Sequence, residues 1–343
     1  MTLRPRFASP AAFFNLIKIQ TNNMKIHKPT IIRALSAPLI FAAIFSAATP
    51  AASASGHEPM SKVVNPAVPG HYAFAGQEIN LDRNDMFERL DRELTAISYT
   101  HGNTLLTLKR ANRYFPVIVP ILKANGVPED LAYLACIESS MNPVAISPAK
   151  AAGLWQFMPA TAKEYGLEVN DYVDERFHPE KATEAACKYL KSAYKRYGNW
   201  ESAAASYNAG MGRISNELNS QKVDTSFDLY LVDETSRYMF RILAMKMLME
   251  NPQRYGFTLS ADQLYQPYDC DIVEVSEPVE DWPTWAKEHG INYMILRNVN
   301  PWIRAKSLPN ASGKTYRVMV PKENSLLRSK QKPAVFNPKW IAR

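Results

Sequence analysis

Cysteine is scarce in this chain: three among 343 residues, at Cys136, Cys187 and Cys270. Three thiols cannot all pair within one chain, so this is no disulfide-stapled scaffold, and their spacing matches no zinc-binding pattern. Cys136 and Cys187 both fall on predicted helices, which leaves one bridge open to them; the simpler reading is of small buried hydrophobes. Long apolar runs are also few. The one run of note, Ala34 to Ala48, is too short to cross a bilayer comfortably, and no later segment is longer. A one-signed charge is missing as well. The net charge of +7 looks basic, but six of the 40 basic residues and none of the 33 acidic ones lie within residues 1–54, so the remainder carries only +1. So nearly neutral a body has no field to steer a polyanion, which excludes nucleic acid as a partner. With 46% hydrophobic residues and 24 prolines, the chain is neither disordered nor collagen-like. Its length suits one large domain and a small one.

What is present begins with an export signal. Lys25, His27, Lys28 and Arg33 follow a second start at Met24, the apolar run comes next, and Ala52-Ser53-Ala54 forms a small-x-small cleavage site. Residues 1–54 therefore read as a leader cut near Ala54, with an uncleaved anchor as the alternative and residues 1–23 as an upstream start or extension. No cysteine stands near the cut, so a lipoprotein anchor is not expected.

Residues 55–83, rich in Gly, Pro, Ala and Ser, read as a linker. Helical periodicity starts near Asn84 and runs to about Asn251. Gly126 closes one helix, and Pro128 with Glu129 and Asp130 opens the next. Ala185, Ala186, Tyr189, Leu190, Ala193, Tyr194 and Tyr197 keep a three-four spacing that no strand produces, and Gly198 stops it. A long helix is predicted from about Val232 to Met249, with Pro252 ending the block. Beyond Tyr265 the texture changes. Asp271 to Val275 and Tyr316 to Val320 alternate like strands around two short helical stretches, a small α+β module. The tail past Ser325 carries Arg328, Lys330, Lys332, Lys339 and Arg343 and no acid, and reads as a solvated, basic extension with weak attraction to an anionic envelope polymer.

On the helix from Pro128, Leu131, Leu134 and Ala135 share one face, and Glu138 falls in its middle. A lone carboxyl on an apolar stripe is costly to ionise, so its pKa should rise, as an acid catalyst near neutral pH requires. The plain alternative puts Glu138 at the helix end, in water.

The residues that follow narrow the choice. Glu138-Ser139-Ser140-Met141-Asn142-Pro143 leads to Ser147, then to Gly153-Leu154-Trp155-Gln156-Phe157-Met158-Pro159, Thr161 and Tyr165-Gly166-Leu167; farther on come Ser206-Tyr207-Asn208-Ala209-Gly210 and Glu234-Thr235 with Tyr238. Over about residues 110–250 this resembles the catalytic domain of the soluble-lytic-transglycosylase family, in particular its membrane-bound type D branch. The resemblance implies a mainly α, goose-lysozyme-like catalytic domain (84–258) that cuts the β-1,4 bond between N-acetylmuramic acid and N-acetylglucosamine in peptidoglycan without water, leaving a 1,6-anhydro end. It implies neither cofactor nor metal, and glycan strands at the cell envelope as partner.

By the same resemblance Glu138 is the catalytic acid and then base. Ser147, Gln156, Tyr207, Asn208, Glu234 and Tyr238 are substrate contacts, and Trp155 and Phe157 are core and cleft wall. Four of these contacts have a plainer reading: Ser147 as a turn residue, Gln156 as a structural amide, Asn208 as a cap, Glu234 as a salt-bridge or helix-start carboxylate. Met141 and Cys136 depart from the family pattern and should affect packing only. Asp171 and Asp174 are held in reserve, because a second carboxylate about 6.5–9.5 Å from the acid would make a water-using muramidase. A non-catalytic wall-binding protein is the other alternative. Trp282 to Gly290, Asn298 to Pro301 and Tyr316 to Pro321 resemble a divergent LysM domain (268–322), although Val279-Glu280-Asp281-Trp282 replaces its usual Gly-Asp-Thr-Leu start. Structural support and glycan anchoring are both open to this module. Residues 323–343 form the basic tail.

Overall fold

The computed structural model describes residues 64–342. The leader and its cleavage site lie outside the described residues. The chain is mainly helical with a small α+β module near its end, as expected.

A two-stranded hairpin comes first, β1 (His71–Phe74) and β2 (Gln77–Asn80), paired antiparallel around Ala75 and Gly76. Both turn residues have positive φ, 52° and 79°, and Asp130 holds the turn by accepting from the Ala75 N–H at 2.7 Å. Phe74 and Leu81 are buried in the main core. The expected linker therefore does not extend through residues 71–83. Four-residue strands with a single buried side chain are too short to show alternation against a polar background.

Helices α1 (Asn84–Tyr99) and α2 (His101–Ala124) lead to a short 3-10 turn and α3 (Ala132–Ser139). Then follow α4 (Pro159–Glu164), α5 (Pro179–Tyr197), α6 (Trp200–Ala209), α7 (Met211–Gln221) and α8 (Asp233–Glu250). From Tyr238 to Met249 α8 is buried almost all round and packs on α1, α3 and α6, making it the central rod. Ser202 to Ser206 in α6 are small and buried, which lets α6 lie close to both α5 and α8. Cys136 and Cys187 are free thiols in this core, and the Cys136 thiol meets the Met249 sulfur at 3.7 Å.

The C-terminal module pairs β3 (Cys270–Val275) antiparallel with β4 (Tyr316–Pro321), and α9 (Trp282–Glu288) and α10 (Tyr293–Val299) lie between them in sequence. Asn300 fixes α10 to β4: its amide donates to the Leu296 and Met319 carbonyls and accepts from the Met319 N–H. Trp282, Trp302 and Tyr316 share one core with Ala152, Val173 and Phe177 of the helical body. Around it, Lys314 Nζ reaches Glu168 Oε2 at 2.5 Å and Glu175 Oε1 at 2.9 Å.

The tail is not the solvated extension expected from its charge. Asn112 brackets it, donating to the Ala334 carbonyl and accepting from the Phe336 N–H. Trp340 is buried against Phe115 and donates its indole N–H to the Met249 carbonyl at 2.6 Å. Phe336 and Trp340 both pack on Phe115 and decide the path, while Arg328, Lys330, Lys332 and Lys339 stay wet. Among the described residues, no helix is long and apolar enough to cross a membrane.

Candidate active site

α3 is two turns long because Ser140 and Met141 both take left-handed backbone, φ 51° and 56°, and swing the chain away. Leu131, Leu134 and Ala135 are buried as the face predicts, and Glu138 on the same face lines the floor of a cleft enclosing about 170 Å³.

One wall is the loop through Ser147 and Phe157. Backbone pairing of Ala152 with Ile146 and Phe157 closes it on itself. Gly153 (φ 79°) passes so close to the Arg176 carbonyl that a Cβ there would lie 1.8 Å from the oxygen. The Arg176 guanidinium donates to the Lys150 and Phe157 carbonyls and grips Asp174 bidentately at 2.9 and 2.7 Å. Asp174 is thereby committed to holding the loop, and neither it nor Asp171 lines the cleft.

Ser147 faces the cleft and also does the turn work of the plainer reading, its hydroxyl accepting from the Ala151 N–H at 3.0 Å. Gln156, at φ 49°, lines the cleft and gives its amide N–H to the Ala145 and Gly153 carbonyls. The end of α6 brings in Tyr207 and Asn208. Tyr207 donates to the Trp155 carbonyl at 2.8 Å, with its ring between Phe157 and Tyr189, so its hydroxyl joins two walls. Trp155 is fully buried and hydrogen-bonded to Thr183, whereas Phe157 forms cleft wall.

The first turn of α8 supplies Glu234 and Thr235. Tyr238, expected as a substrate contact, is buried behind the acid and donates its hydroxyl to Glu138 Oε1 at 2.5 Å. A four-residue spacing puts both side chains on one face of α8, but only Glu234 reaches the cleft; the helix has rotated Tyr238 inward. Burial pushes the Glu138 carboxyl up to about 7. The Tyr238 hydrogen bond pulls it down, the Glu234 charge adds to the rise, and Arg241 opposes it. With Oε1 engaged, Oε2 is the oxygen left to carry a proton.

Sequence reasoning missed several lining residues. Arg213, on the first turn of α7, is the one basic side chain on the cleft among the described residues, and Tyr189, Thr161 and Val232 also face it. Thr161 stood inside a recognised motif without a role. Arg213 carries no pattern that separates it from other surface arginines.

Residues 116–228 match the transglycosylase SLT domain family, and residues 271–324 match the soluble lytic transglycosylase C-terminal LysM-like domain. Membrane-bound lytic murein transglycosylase D of Escherichia coli K12 is 33% identical over 262 residues, covering 74% of this chain and 56% of that protein. The chain thus spans a little over half the length of that relative. The soluble lytic murein transglycosylase of the same strain is 30% identical over 128 residues, 34% of this chain and 20% of that one. The crystal structure of the 70 kDa soluble lytic transglycosylase of E. coli aligns over 52% of this chain and 33% of its own, at 22% identity and a TM-score of 0.35. The chain thus carries a transglycosylase SLT domain at residues 116–228 and a LysM-like domain at residues 271–324, and is homologous to membrane-bound lytic murein transglycosylase D.

Proposed function

We propose that the protein is an exported peptidoglycan lytic transglycosylase whose single acid and base is Glu138. Residues 84–258 form its catalytic domain and residues 268–322 its LysM-like module. The observation that carries the reading is the carboxyl itself: set on a cleft floor, held by Tyr238 and raised to about 7, it keeps a substantial protonated fraction near neutral pH.

The Glu138 carboxylic acid gives its proton to the glycosidic oxygen as the bond from the muramic anomeric carbon to that oxygen breaks. The substrate's N-acetyl oxygen stabilises the cationic carbon. The Glu138 carboxylate then takes the proton of the muramic 6-hydroxyl while that oxygen bonds to the anomeric carbon. The acid is regenerated, and the product carries a 1,6-anhydro end. Ser147, Gln156, Tyr207 and Asn208 bind and orient the sugars, and Tyr238 orients the acid. The names of the similar proteins, both murein transglycosylases, support the substrate class.

A hydrolytic muramidase is the second reading, because Glu234 is another carboxylate on the same cleft. Mass spectrometry of digested peptidoglycan separates them. Anhydro ends that vanish in Glu138→Gln support the proposal; ordinary reducing ends would transfer the role to a water held by Glu234.

A further inference from the structure

The wall that carries Val232, Glu234 and Thr235 continues back along the chain to Tyr230, whose side chain is 90% exposed, the most exposed large apolar side chain among the described residues. Its backbone is nevertheless firmly held. Gln221, the last residue of α7, donates from Nε2 to the Tyr230 carbonyl at 2.9 Å and accepts from the Tyr230 N–H at 2.8 Å. The same Nε2 reaches Glu217 Oε2 at 2.9 Å, which steadies the clamp. An aromatic ring in water on a pinned backbone adds nothing to the core and has lost its freedom to move away.

Two rulers place it. Val232 lines the cleft and is two residues away, so roughly 7 Å of extended chain separates Tyr230 from the cleft edge. Arg213 also lines the cleft, and Gln221 lies eight positions farther along α7, roughly 12 Å at the helical rise. Tyr230 therefore stands just outside the cleft, within reach of a strand that runs past its Val232 edge. The axial hydrogens of a pyranose make one apolar face, which a tyrosine ring matches in size while its hydroxyl stays in water.

We propose that Tyr230 is a stacking platform for a pyranose ring of the glycan strand beyond the cleavage site, and so a determinant of preference for long strands. This rests on the reading of the cleft as a peptidoglycan site. The test measures affinity in the Glu138→Gln background, where strands stay intact, using purified long glycan strands and a tetrasaccharide that fills only the cleft. Tyr230→Ala should weaken binding of long strands roughly fivefold, equivalent to about 1 kcal/mol, and leave the tetrasaccharide unchanged. Tyr230→Trp should restore the long-strand affinity. Unchanged affinity for long strands, or an equal loss on both ligands, overturns the inference. Cleavage by the unsubstituted protein is scored separately, so length-dependent binding through Tyr230 without any cleavage would sink the proposed reaction and leave the platform standing.

Discussion

Replacing Glu138 by Gln should kill activity and, at alkaline pH, make the protein more stable. The folded chain keeps the Glu138 proton up to about pH 7, whereas the unfolded chain releases it near 4.5. Between those values the folded state binds more protons than the unfolded one, so stability falls as pH rises through the window. The separation corresponds to roughly 3 kcal/mol at about 1.4 kcal/mol per pH unit, present in full above pH 7 and absent below 4.5. Gln has the shape of the protonated acid, never ionises, and still offers an oxygen to the Tyr238 hydroxyl. Urea denaturation of both proteins at about pH 4 and about pH 8 should give equal stabilities at the lower pH and an advantage of up to about 3 kcal/mol for Gln at the higher. Activity should fall by at least about a hundredfold. A Gln variant no more stable than the parent at pH 8 would mean that the carboxyl is well solvated when ionised, and the argument for a raised pKa would fail.

Tyr238→Phe removes the donor to Glu138 Oε1, one hydrogen bond to a charged group, so kcat should drop about tenfold to a hundredfold. The alkaline limb of the pH profile should also move up, since that bond pulls the carboxyl pKa down; a profile that stays in place would remove Tyr238 from the acid's control. Trp340→Ala empties a buried aromatic site and should cost about 3–5 kcal/mol, read as a lower urea midpoint. No change would return the tail to solvent. Gly153→Ala forces a methyl into the Arg176 carbonyl at positive φ and should give little soluble protein, or a melting temperature several degrees lower. A normally stable variant would show that the loop can relax there.

The place of Glu138 on the cleft was legible because two independent signals met there: an apolar helical face with one carboxyl in it, and an ordered set of motifs downstream. The helices of the body and the βααβ order of the module were legible for the same reason, sustained periodicity. Tyr238 shows the limit. Spacing put it on the Glu234 face, but whether a side chain four residues on points into the cleft or behind the acid depends on how α8 is turned against α3, which no local pattern encodes. The hairpin and the tail failed differently. Their docking rests on a few residues, Phe74, Leu81, Phe336 and Trp340, in segments too short to show a period, and composition averaged them away. Gly153 and Arg176 likewise meet only in space.

The shared core of Trp302, Tyr316, Val173 and Phe177 has a mechanical consequence. Because Ala152 belongs to it and sits in the loop that carries Ser147 and Gln156, the module packs directly behind that loop. Breaking the Glu168, Glu175 and Lys314 ion cluster should therefore loosen the loop of Ser147 and Gln156 along with the module.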